Sequence, residues 1–298
     1  MSEKFQRKER IIMSVILIFL NFYRNLKFII VKIFNRELRV ELKKNDNDCF
    51  NDNLNSKSDL CFVLGNGPSL KKINHDKLIN QDVFAVNFFF NNDWFKKLKS
   101  VNYFFTDPAI FGDCNKQKLS EIAINDIAKL LDNKSVKRII IPYQRKKQWL
   151  RIFGGVSGMD KMRYYYSNNE FVFNNLKFLK PSDNFYKGQT VVINALLYAM
   201  ALGYKKIYLL GIDLTGFLEK YELNSNFQEH SYRKSKSQIV HIDMSSEDNE
   251  FNLKIHGKMF EQFKYVKKIA EKNNIKIFNA TPGGALDVFE RINFEKLI

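Results

Sequence analysis

Small and polar residues follow an apolar run early in the chain, and residues of these types can hold a nucleotide, a sugar or a phosphate. The run Leu60–Leu64 ends in the sequence GNGPS, which contributes Asn66, Gly67 and Ser69. Glycines let a backbone approach a ligand closely, and amide and hydroxyl groups bind a ribose, a base edge or a phosphate without titrating near neutral pH. The alternative is a strand-to-helix turn that needs small residues for packing alone.

The glycine pattern of this loop departs from the two common nucleotide-binding fingerprints. A dinucleotide-binding G-x-G-x-x-G has a third glycine where this chain has Leu70. It also has an acidic residue after the second strand, where this chain has Asn87. These differences disfavour an NAD or FAD site. The phosphate-loop pattern G-x-x-x-x-G-K-[ST] does not occur in the sequence, so a site of that type is excluded.

The same kinds of residue follow the other apolar runs of the chain. The carboxyl ends of parallel strands meet at one edge of a sheet, and open α/β sheets bind ligands beyond that edge. We therefore expect these residues to line one site together with the first loop. They are Asn87, Asp107, Gly211 and Asp213 at the strand ends, together with Thr190, where the helix before the fifth predicted strand opens.

Apolar runs that alternate with helical patterns indicate the elements that position these residues. Strands this apolar are buried on both faces, so the sheet is expected to be mostly parallel with helices on both sides. The sequence thus predicts an α/β fold with one domain over residues 60–298. The predicted strands are 60–65, 82–87, 101–107, 136–143, 205–214 and 275–280, and the predicted helices are 118–133, 190–204 and 256–274.

A long polar segment, residues 215–255, directly follows a predicted strand end and lacks α/β periodicity. Loops of this length in a compact domain are usually lids or disordered. The segment carries His230, Tyr232 and several basic residues. A basic and aromatic lid over the strand ends would stabilise an anionic leaving group.

Histidine is the usual general base near pH 7, and the chain has four. We favour His256, which begins the last predicted helix directly after the lid, and keep His230 in the lid as the alternative. The structural alternative for His256 is a surface residue at a helix start. His241 lies in an apolar context, and His75 is expected to be an incidental surface residue.

Metal binding is weakly indicated. A D-x-D sequence at 46–48 precedes the first strand, where it is displaced from the predicted site. Asp107 and Asp213 are the only carboxylates at predicted strand ends, and they either hold Mg²⁺ or cap turns. We expect no metal ligands and no essential Mg²⁺.

The first 45 residues combine apolar runs with basic residues. The uninterrupted run at 11–20 is shorter than the about 20 residues that span a bilayer, and Arg24, Lys27 and Lys32 interrupt the next run. Residues 1–45 therefore predict a basic amphipathic helix at a membrane surface, and no cleavable signal peptide. The alternative is a helix packed on the domain or on a partner subunit. Residues 46–59 are rich in Asn and Asp and predict a linker.

The net charge of +16 indicates an acidic partner, such as an anionic membrane, a phosphorylated ligand or a nucleic acid. No nucleic-acid-binding module is recognisable, so we expect no nucleic acid partner. Biased composition that gives a solvated lysine surface is the alternative.

The three widely spaced cysteines form no C-x-x-C pair, which favours a reducing compartment.

The motifs of residues 60–298 resemble two related protein families. The stretches FVLGNGPSLKKI, VFAVNFFF, YFFTDPAIF and ALGYKKIYLLGIDL resemble the bacterial sialyltransferases of glycosyltransferase family forty-two. The closing stretch IKIFNATPGGALDVFERINFEKL is similar to the hydroxymethylpterin diphosphokinase-like family, which also contains nonulosonate transferases acting on bacterial surface structures. The resemblance implies a Rossmann-like fold of the glycosyltransferase A-type variant, with a lid segment.

The implied activity is inverting transfer of a sialic-acid-like (nonulosonate) sugar from a CMP-sugar donor to a bacterial surface glycan or a lipid-linked acceptor, as in lipopolysaccharide or capsule biosynthesis. The resemblance implies no cofactor. Together with the basic N-terminal segment, the resemblance indicates a peripheral enzyme at the cytoplasmic face of the inner membrane. An oligomeric state is compatible with this interpretation. Two alternatives stay open: a Mg²⁺-dependent diphosphokinase of the hydroxymethylpterin type, and a non-catalytic nucleotide-binding module.

The resemblance also implies roles for individual donor-binding positions. They are Asn66, Gly67 and Ser69 for the CMP moiety, Asn87 for the nucleotide, Thr190 for the donor sugar, and Gly211, Ile212 and Asp213 around the cytosine.

The catalytic positions match the family less closely. Asp107 stands where the sialyltransferases have an asparagine, so its role is open, and Val191 replaces a serine beside Thr190. Tyr232 would hold the leaving phosphate. His256 matches the family's base by its position before the last helix.

Overall fold

The computed structural model describes residues 3–54, 58–112, 117–172, 179–215, 239–241 and 249–297 of the chain. Most of the predicted lid, with His230 and Tyr232, lies outside the described residues. The helices are α1 Glu3–Phe34, α2 Arg36–Leu54, α3 Glu121–Asp132, α4 Lys146–Phe153, α5 Val191–Ala201 and α6 Asn249–Lys272. The strands are β1 Leu60–Leu64, β2 Asp82–Val86, β3 Ser100–Phe104, β4 Gln117–Leu119, β5 Val136–Pro142, β6 Met162–Asn169, β7 Asn184–Tyr186, β8 Lys206–Leu210, β9 Ile239–His241, β10 Lys276–Asn279 and β11 Glu290–Arg291.

A nine-stranded sheet in the order β11-β10-β8-β1-β2-β3-β5-β6-β7 forms the centre of the fold. Each pair of neighbouring strands is parallel. Alternate residues of β1 enter two separate cores: Cys61 and Val63 pack with α5 and α6, whereas Phe62 and Leu64 pack with α3 and α4. The predicted α/β fold with a mostly parallel sheet and helices on both faces is confirmed.

The strand order places a reversal at β1. From β1 the chain adds β2, β3, β5, β6 and β7 on one side, and after α5 it returns to place β8 on the other side of β1. In open α/β sheets, ligands bind at the carboxyl ends of the strands where the order reverses. The topology therefore singles out the loops that follow β1 and β8.

Strands β6 and β7 were absent from the sequence prediction. Their sequences, MRYYYSNN and NFY, contain polar residues that break the apolar run typical of a strand buried on both faces. The structure satisfies these polar groups internally: the Asn169 side chain donates to the backbone of Asn184 at 3.1 Å, and Ser167 Oγ donates to Tyr186 O at 3.1 Å.

The predicted linker at 46–59 is largely helical, because α2 continues to Leu54. Around the start of this segment Asn45 and Asp48 bind the domain, whereas Asp46 and Asn47 are exposed. Asn45 is fully buried, and its amide donates to Tyr164 O at 2.7 Å. Asp48 pairs with Arg138 at 2.8 Å and with Arg163 at 2.6 Å. The Asn- and Asp-rich composition therefore belongs here to a helix that packs on the domain. The predicted boundary between the N-terminal segment and the linker, after residue 45, falls inside this helix.

Two helix starts also differ from the prediction. The stretch predicted as a helix from 118 begins with β4, which pairs antiparallel with β9, and α3 starts at Glu121 after Ser120. The Ser120 hydroxyl accepts from Ala123 N at 3.3 Å, which is an N-cap bond that fixes this start. Helix α6 begins at Asn249 rather than at 256, so it takes in the end of the predicted lid.

Candidate functional site

The loops after β1 and β8 pack directly against each other. Gly65 N donates to Leu210 O at 2.8 Å, and Gly67 N donates to Gly211 O at 2.8 Å. A Cβ at Gly65 would overlap Gly211 O, and one at Gly67 would overlap the Asp213 carboxylate. The two glycines are therefore required by the approach of one loop to the other, which is the packing role that the sequence left open.

A buried hydrogen bond joins the same two loops. Ser69 Oγ donates to Asp213 Oδ2 at 2.7 Å, and the two residues are only 2% and 8% exposed. The Ser69 hydroxyl therefore holds Asp213 in place. We call Gly65, Gly67, Ser69, Gly211 and Asp213 the packed loop pair.

Gly211 adopts a left-handed conformation, with φ of +66°, directly after β8. A Cβ there would stand 2.7 Å from Leu70 Cγ, so the missing third glycine of the fingerprint is replaced by a side chain that packs on Gly211. His75 Nε2 donates to Leu70 O at 2.7 Å, and its ring stacks on Trp94 at 4.3 Å. His75, predicted to be incidental, holds Leu70 in this position.

The loop after β10 supports the β8 loop from the other side. Ile212 N donates to the hydroxyl of Thr281 at 3.3 Å, and Ala285 N donates to Asp213 O at 2.7 Å. Arg291 holds the loop by donating to the carbonyls of Gly283 at 2.6 Å, Gly284 at 2.8 Å and Leu286 at 2.9 Å. Sequence reasoning missed Arg291, because an arginine that binds carbonyls of its own neighbourhood leaves no motif.

Two asparagines lie beside the packed loop pair and are half-buried. The Asn66 amide donates to Val86 O at 3.1 Å, which joins the β1 loop to the end of β2. Asn87 follows with φ of +47°, and its side-chain oxygen accepts from Thr106 N at 3.4 Å. Tyr103 also donates to Asn87 O at 2.7 Å. The structure thus brings Asn66, Asn87 and Thr106 together at the carboxyl ends of β1, β2 and β3.

Asp107 is next along this edge. Its Oδ1 accepts from Ala109 N at 3.0 Å and caps the short helix Pro108–Phe111, which is the turn-capping role considered for it above. Burial raises the pKa of Asp107, and the hydrogen bond from Ala109 N offsets part of that rise. The chain therefore keeps a carboxylate at a position that disfavours its charge.

The start of α5 lies at the same edge, because the helix runs antiparallel to the strands on its way to β8. Thr190 is the N-cap residue, is half-buried, and makes no side-chain hydrogen bond to the helix. Gln262 of α6 fixes this start: its side chain accepts from Gln189 N at 2.7 Å and donates to Lys187 O at 3.2 Å. We call Asn66, Asn87, Thr106, Asp107 and Thr190 the polar rim.

His256 lies on α6, which also runs antiparallel to the strands. It precedes Gln262 by six residues, or about 9 Å of helix, and Gln262 is level with the start of α5. Half-buried His256 therefore lies above the carboxyl edge of the sheet, on the side of Thr190. The backbone of His241, in β9, pairs with Gln117 of β4 in a separate two-stranded sheet.

A basic segment follows β5, and the sequence patterns did not predict it as part of the site. β5 is the neighbour of β3, so the segment that starts at Tyr143 lies beside Asp107. Arg145 is half-buried, with its guanidinium 5.8 Å from the centre of the Phe111 ring. The signal was available, since the apolar run of β5 ends in YQRKK at the carboxyl edge.

The described residues contain no group of three or more His, Cys, Asp and Glu side chains arranged to hold a metal ion. The D-x-D sequence supplies Asp48, which binds two arginines in the structure. Burial alone would raise the pKa of Asp48, but the hydrogen bonds and charges of Arg163 and Arg138 lower it below its usual value. That carboxylate stabilises the contact between α2 and the sheet.

Comparison with known proteins gives little on activity. No family model and no curated protein matches the chain. Among solved structures, a MAf glycosyltransferase from Magnetospirillum magneticum AMB-1 matches with a TM-score of 0.44 and 13% identity. The match covers 82% of this chain and 35% of the other, so this chain spans about a third of that protein's length. Similarity at this level carries no argument about function.

Proposed function

We propose that the protein is a glycosyltransferase that moves a sialic-acid-like sugar from a CMP-sugar donor to a glycan or lipid-linked acceptor. The observation that carries the proposal is the polar rim at the reversal of strand order. Its side chains are mostly uncharged and half-exposed, and they lie at the edge where α/β sheets bind nucleotides. The finer assignment to CMP and to nonulosonates comes from the sequence resemblance described above.

In this proposal the amides of Asn66 and Asn87 bind the nucleoside of the donor. The start of α5, with the Thr190 hydroxyl, lies where the phosphate and the sugar would follow, and a helix start favours negative charge. Arg145 adds a cation on the far side of Asp107, and the net charge of +16 favours an anionic donor. Gly67 and Ser69 act indirectly, through the position of Asp213.

The reaction needs one base and one stabilised leaving group. The acceptor hydroxyl gives its proton to His256 Nδ1 or Nε2, and its oxygen forms the new bond to the anomeric carbon. The bond between that carbon and the CMP phosphate oxygen breaks, and CMP leaves with the electron pair on the opposite face, which gives inversion. Tyr232 of the predicted lid would donate to the departing phosphate.

Release of CMP from CMP-sialic acid and other CMP-nonulosonates tests the activity, with lipid-linked glycans as acceptors. We expect turnover without added Mg²⁺ and in the presence of a chelator. Absence of turnover with every donor, together with absence of CMP binding, would refute the proposal. Turnover of ATP with a pterin in the presence of Mg²⁺ would instead favour a diphosphokinase.

Two histidine variants test the base. His256→Ala is expected to lower the turnover rate by about a hundredfold or more while CMP binding stays within twofold, since a base acts on the acceptor rather than on the nucleotide. His230→Ala is the matched variant for the alternative. A loss with His230→Ala and none with His256→Ala would move the role to the lid.

A further inference from the structure

Helix α1 turns Asn21 and Asn25 toward the domain. Asn21 is 1% exposed, and its side chain donates to Glu170 O at 2.6 Å and accepts from Glu170 N at 3.0 Å. Asn25 Oδ1 accepts from the amides of Asn169 and Asn184, each at 3.1 Å. These bonds are specific and join α1 to the end of β6 and the start of β7.

Much of the apolar surface of α1 is uncovered, and before Asn21 it is exposed all around the helix. Fifteen large apolar side chains of residues 11–34 are exposed by 36% or more. In that stretch Lys27 is the only exposed charged residue. We call Phe19, Phe22, Leu26, Ile30 and Ile33 the outer face of α1, since their spacing places them on one side of the helix, away from Asn21 and Asn25. A continuous apolar surface of this length marks an interaction site.

The charges around the outer face favour lipid over protein as its partner. Arg7, Lys8 and Arg10 precede the apolar stretch, and Arg36 and Arg39 follow it, all of them exposed. Basic residues that flank an apolar helix face meet anionic headgroups while the apolar side chains enter the acyl region. A second copy of this chain would bring the same positive charges together and pay for their repulsion.

The contacts of Asn21 decide how the helix can lie. Within the described residues one helix, over Arg7–Phe34, is long and apolar enough to cross a membrane. Only residues 11–20 precede the docked part, however, and ten helical residues cover about 15 Å of a hydrocarbon layer of about 30 Å. A full crossing would need Asn21 and Arg24 to leave Glu170, with which Arg24 pairs at 3.7 Å, or would draw that edge of the domain into the lipid.

We propose that α1 is an interfacial helix that lies in the plane of an anionic membrane, with its polar side docked on the domain and its outer face in the lipid. It would hold the β6–β7 end of the sheet next to the bilayer and so fix how the domain meets a lipid-linked substrate. The proposal does not depend on the transfer reaction, and its test measures membrane contact alone.

Vesicle binding by the full chain tests the partner. Vesicles of phosphatidylcholine with 30% phosphatidylglycerol are compared with vesicles of phosphatidylcholine alone, and the double variant Phe22→Glu, Ile33→Glu is compared with Ile122→Glu. Ile122 on α3 is 57% exposed and Ile33 is 58% exposed, so the control matches the exposure of the side chain.

We expect the wild type and Ile122→Glu to float with the anionic vesicles. The partition coefficient of the double variant onto these vesicles should be lower by a factor of roughly ten or more. Vesicles without phosphatidylglycerol should bind less of every form of the protein. Equal binding by the double variant would overturn the proposal. So would a dimer in lipid-free solution that this variant dissociates while the wild type binds no vesicles, because that result assigns the outer face to a second copy.

A depth measurement distinguishes a helix in the plane from one that crosses. Phe19→Trp and Ile30→Trp are each quenched by lipids brominated at successive acyl positions, with the unsubstituted chain as background for Trp94 and Trp149. A helix in the plane gives both new tryptophans the same shallow depth. Depths that differ by about 16 Å, the length of eleven helical residues, would overturn the in-plane placement.

Discussion

The packed loop pair and the polar rim lie side by side at the carboxyl edge of the sheet, and they differ in what their residues contact. In the packed loop pair, backbone approaches backbone and the Ser69–Asp213 bond is buried. In the polar rim, side chains that bond to neighbouring backbone groups are still half-exposed. The glycines therefore belong to the scaffold, whereas the asparagines stay half-exposed at the edge where we propose that a ligand binds.

The largest effect on stability is expected from Gly67→Ala. The added Cβ would overlap the Asp213 carboxylate and stand 2.7 Å from Gly211 O, so the two loops must separate. We expect a loss of about 3 kcal/mol in the free energy of unfolding, measured by urea denaturation. Gly155→Ala is the control, because nothing lies within 4 Å of a Cβ there, and it should change stability by less than about 1 kcal/mol. Equal effects of the two variants would contradict the packing role of Gly67.

A smaller loss is expected from Ser69→Ala, which leaves the buried Asp213 carboxylate without a donor that it has in the wild type. The expected cost is about 1–3 kcal/mol by the same measurement. Ser157→Ala removes a similar bond, since Ser157 Oγ donates to Asp132 Oδ1 at 3.0 Å, but that pair is exposed and should cost less than about 0.5 kcal/mol. A cost for Ser69→Ala no larger than that of the control would show that the loop junction tolerates its loss.

At Asp107 in the polar rim, a substitution is expected to raise the free energy of unfolding, whereas the two variants above lower it. Burial raises the pKa of Asp107 in the folded state, so the folded protein binds a proton there more readily than the unfolded chain does. The contribution of Asp107 to the free energy of unfolding therefore falls as the pH rises from the pKa of the unfolded chain to the higher pKa of the folded protein. Asp107→Asn keeps an oxygen for Ala109 N without the charge. We expect the variant to equal the wild type near pH 4 and to be more stable at pH 7.5, by urea unfolding at both pH values.

Asp126→Asn is the control for this pH comparison, since Asp126 lies on α3 and pairs with Lys129. It should not gain stability at pH 7.5. If Asp107→Asn is less stable than the wild type at pH 7.5, the Asp107 carboxylate is satisfied in the folded protein and does not belong to a rim held ready for a ligand.

The comparison also explains how far sequence reasoning reached. Strand direction was enough to gather Asn66, Asn87 and Asp107 at one edge, because parallel strands end together, and the helix that returns to that edge adds Thr190. The individual contacts could not be predicted. The sequence does not indicate that the Ser69 side chain bonds to the β8 loop whereas the Asn66 side chain bonds to the end of β2. The order of the strands, which makes β1 and β8 neighbours, decides that difference.

Polar composition led to wrong predictions of secondary structure in two further segments, because contacts between segments were not considered. The segment around Asn45 and Asp48 and the strands β6 and β7 were set aside as polar, yet their side chains bind one another's elements across the fold. Asn45 meets the backbone of Tyr164, and Asp48 meets Arg163, so the polarity on each side is satisfied by the other. A pattern that treats each segment alone cannot detect such pairs.

The smallest structural change gives the sharpest test of the polar rim. Asn87→Gly removes the amide, and glycine suits the left-handed conformation that Asn87 adopts at φ of +47°. Asn274→Gly makes the same exchange at φ of +55°, in the turn between α6 and β10. Asn87→Gly also removes the acceptor of Thr106 N at 3.4 Å, so it should cost about 1 kcal/mol in unfolding free energy, whereas Asn274→Gly should stay within about 0.5 kcal/mol of the wild type.

Calorimetric titration of CMP into the wild type, Asn87→Gly and Asn274→Gly tests the central claim most directly. We predict that the wild type and Asn274→Gly bind CMP with the same affinity, and that Asn87→Gly binds about tenfold more weakly, as expected for the loss of a hydrogen bond to a ligand. Equal affinity in all three proteins, or no binding by the wild type, would contradict the assignment of the polar rim as a nucleotide site.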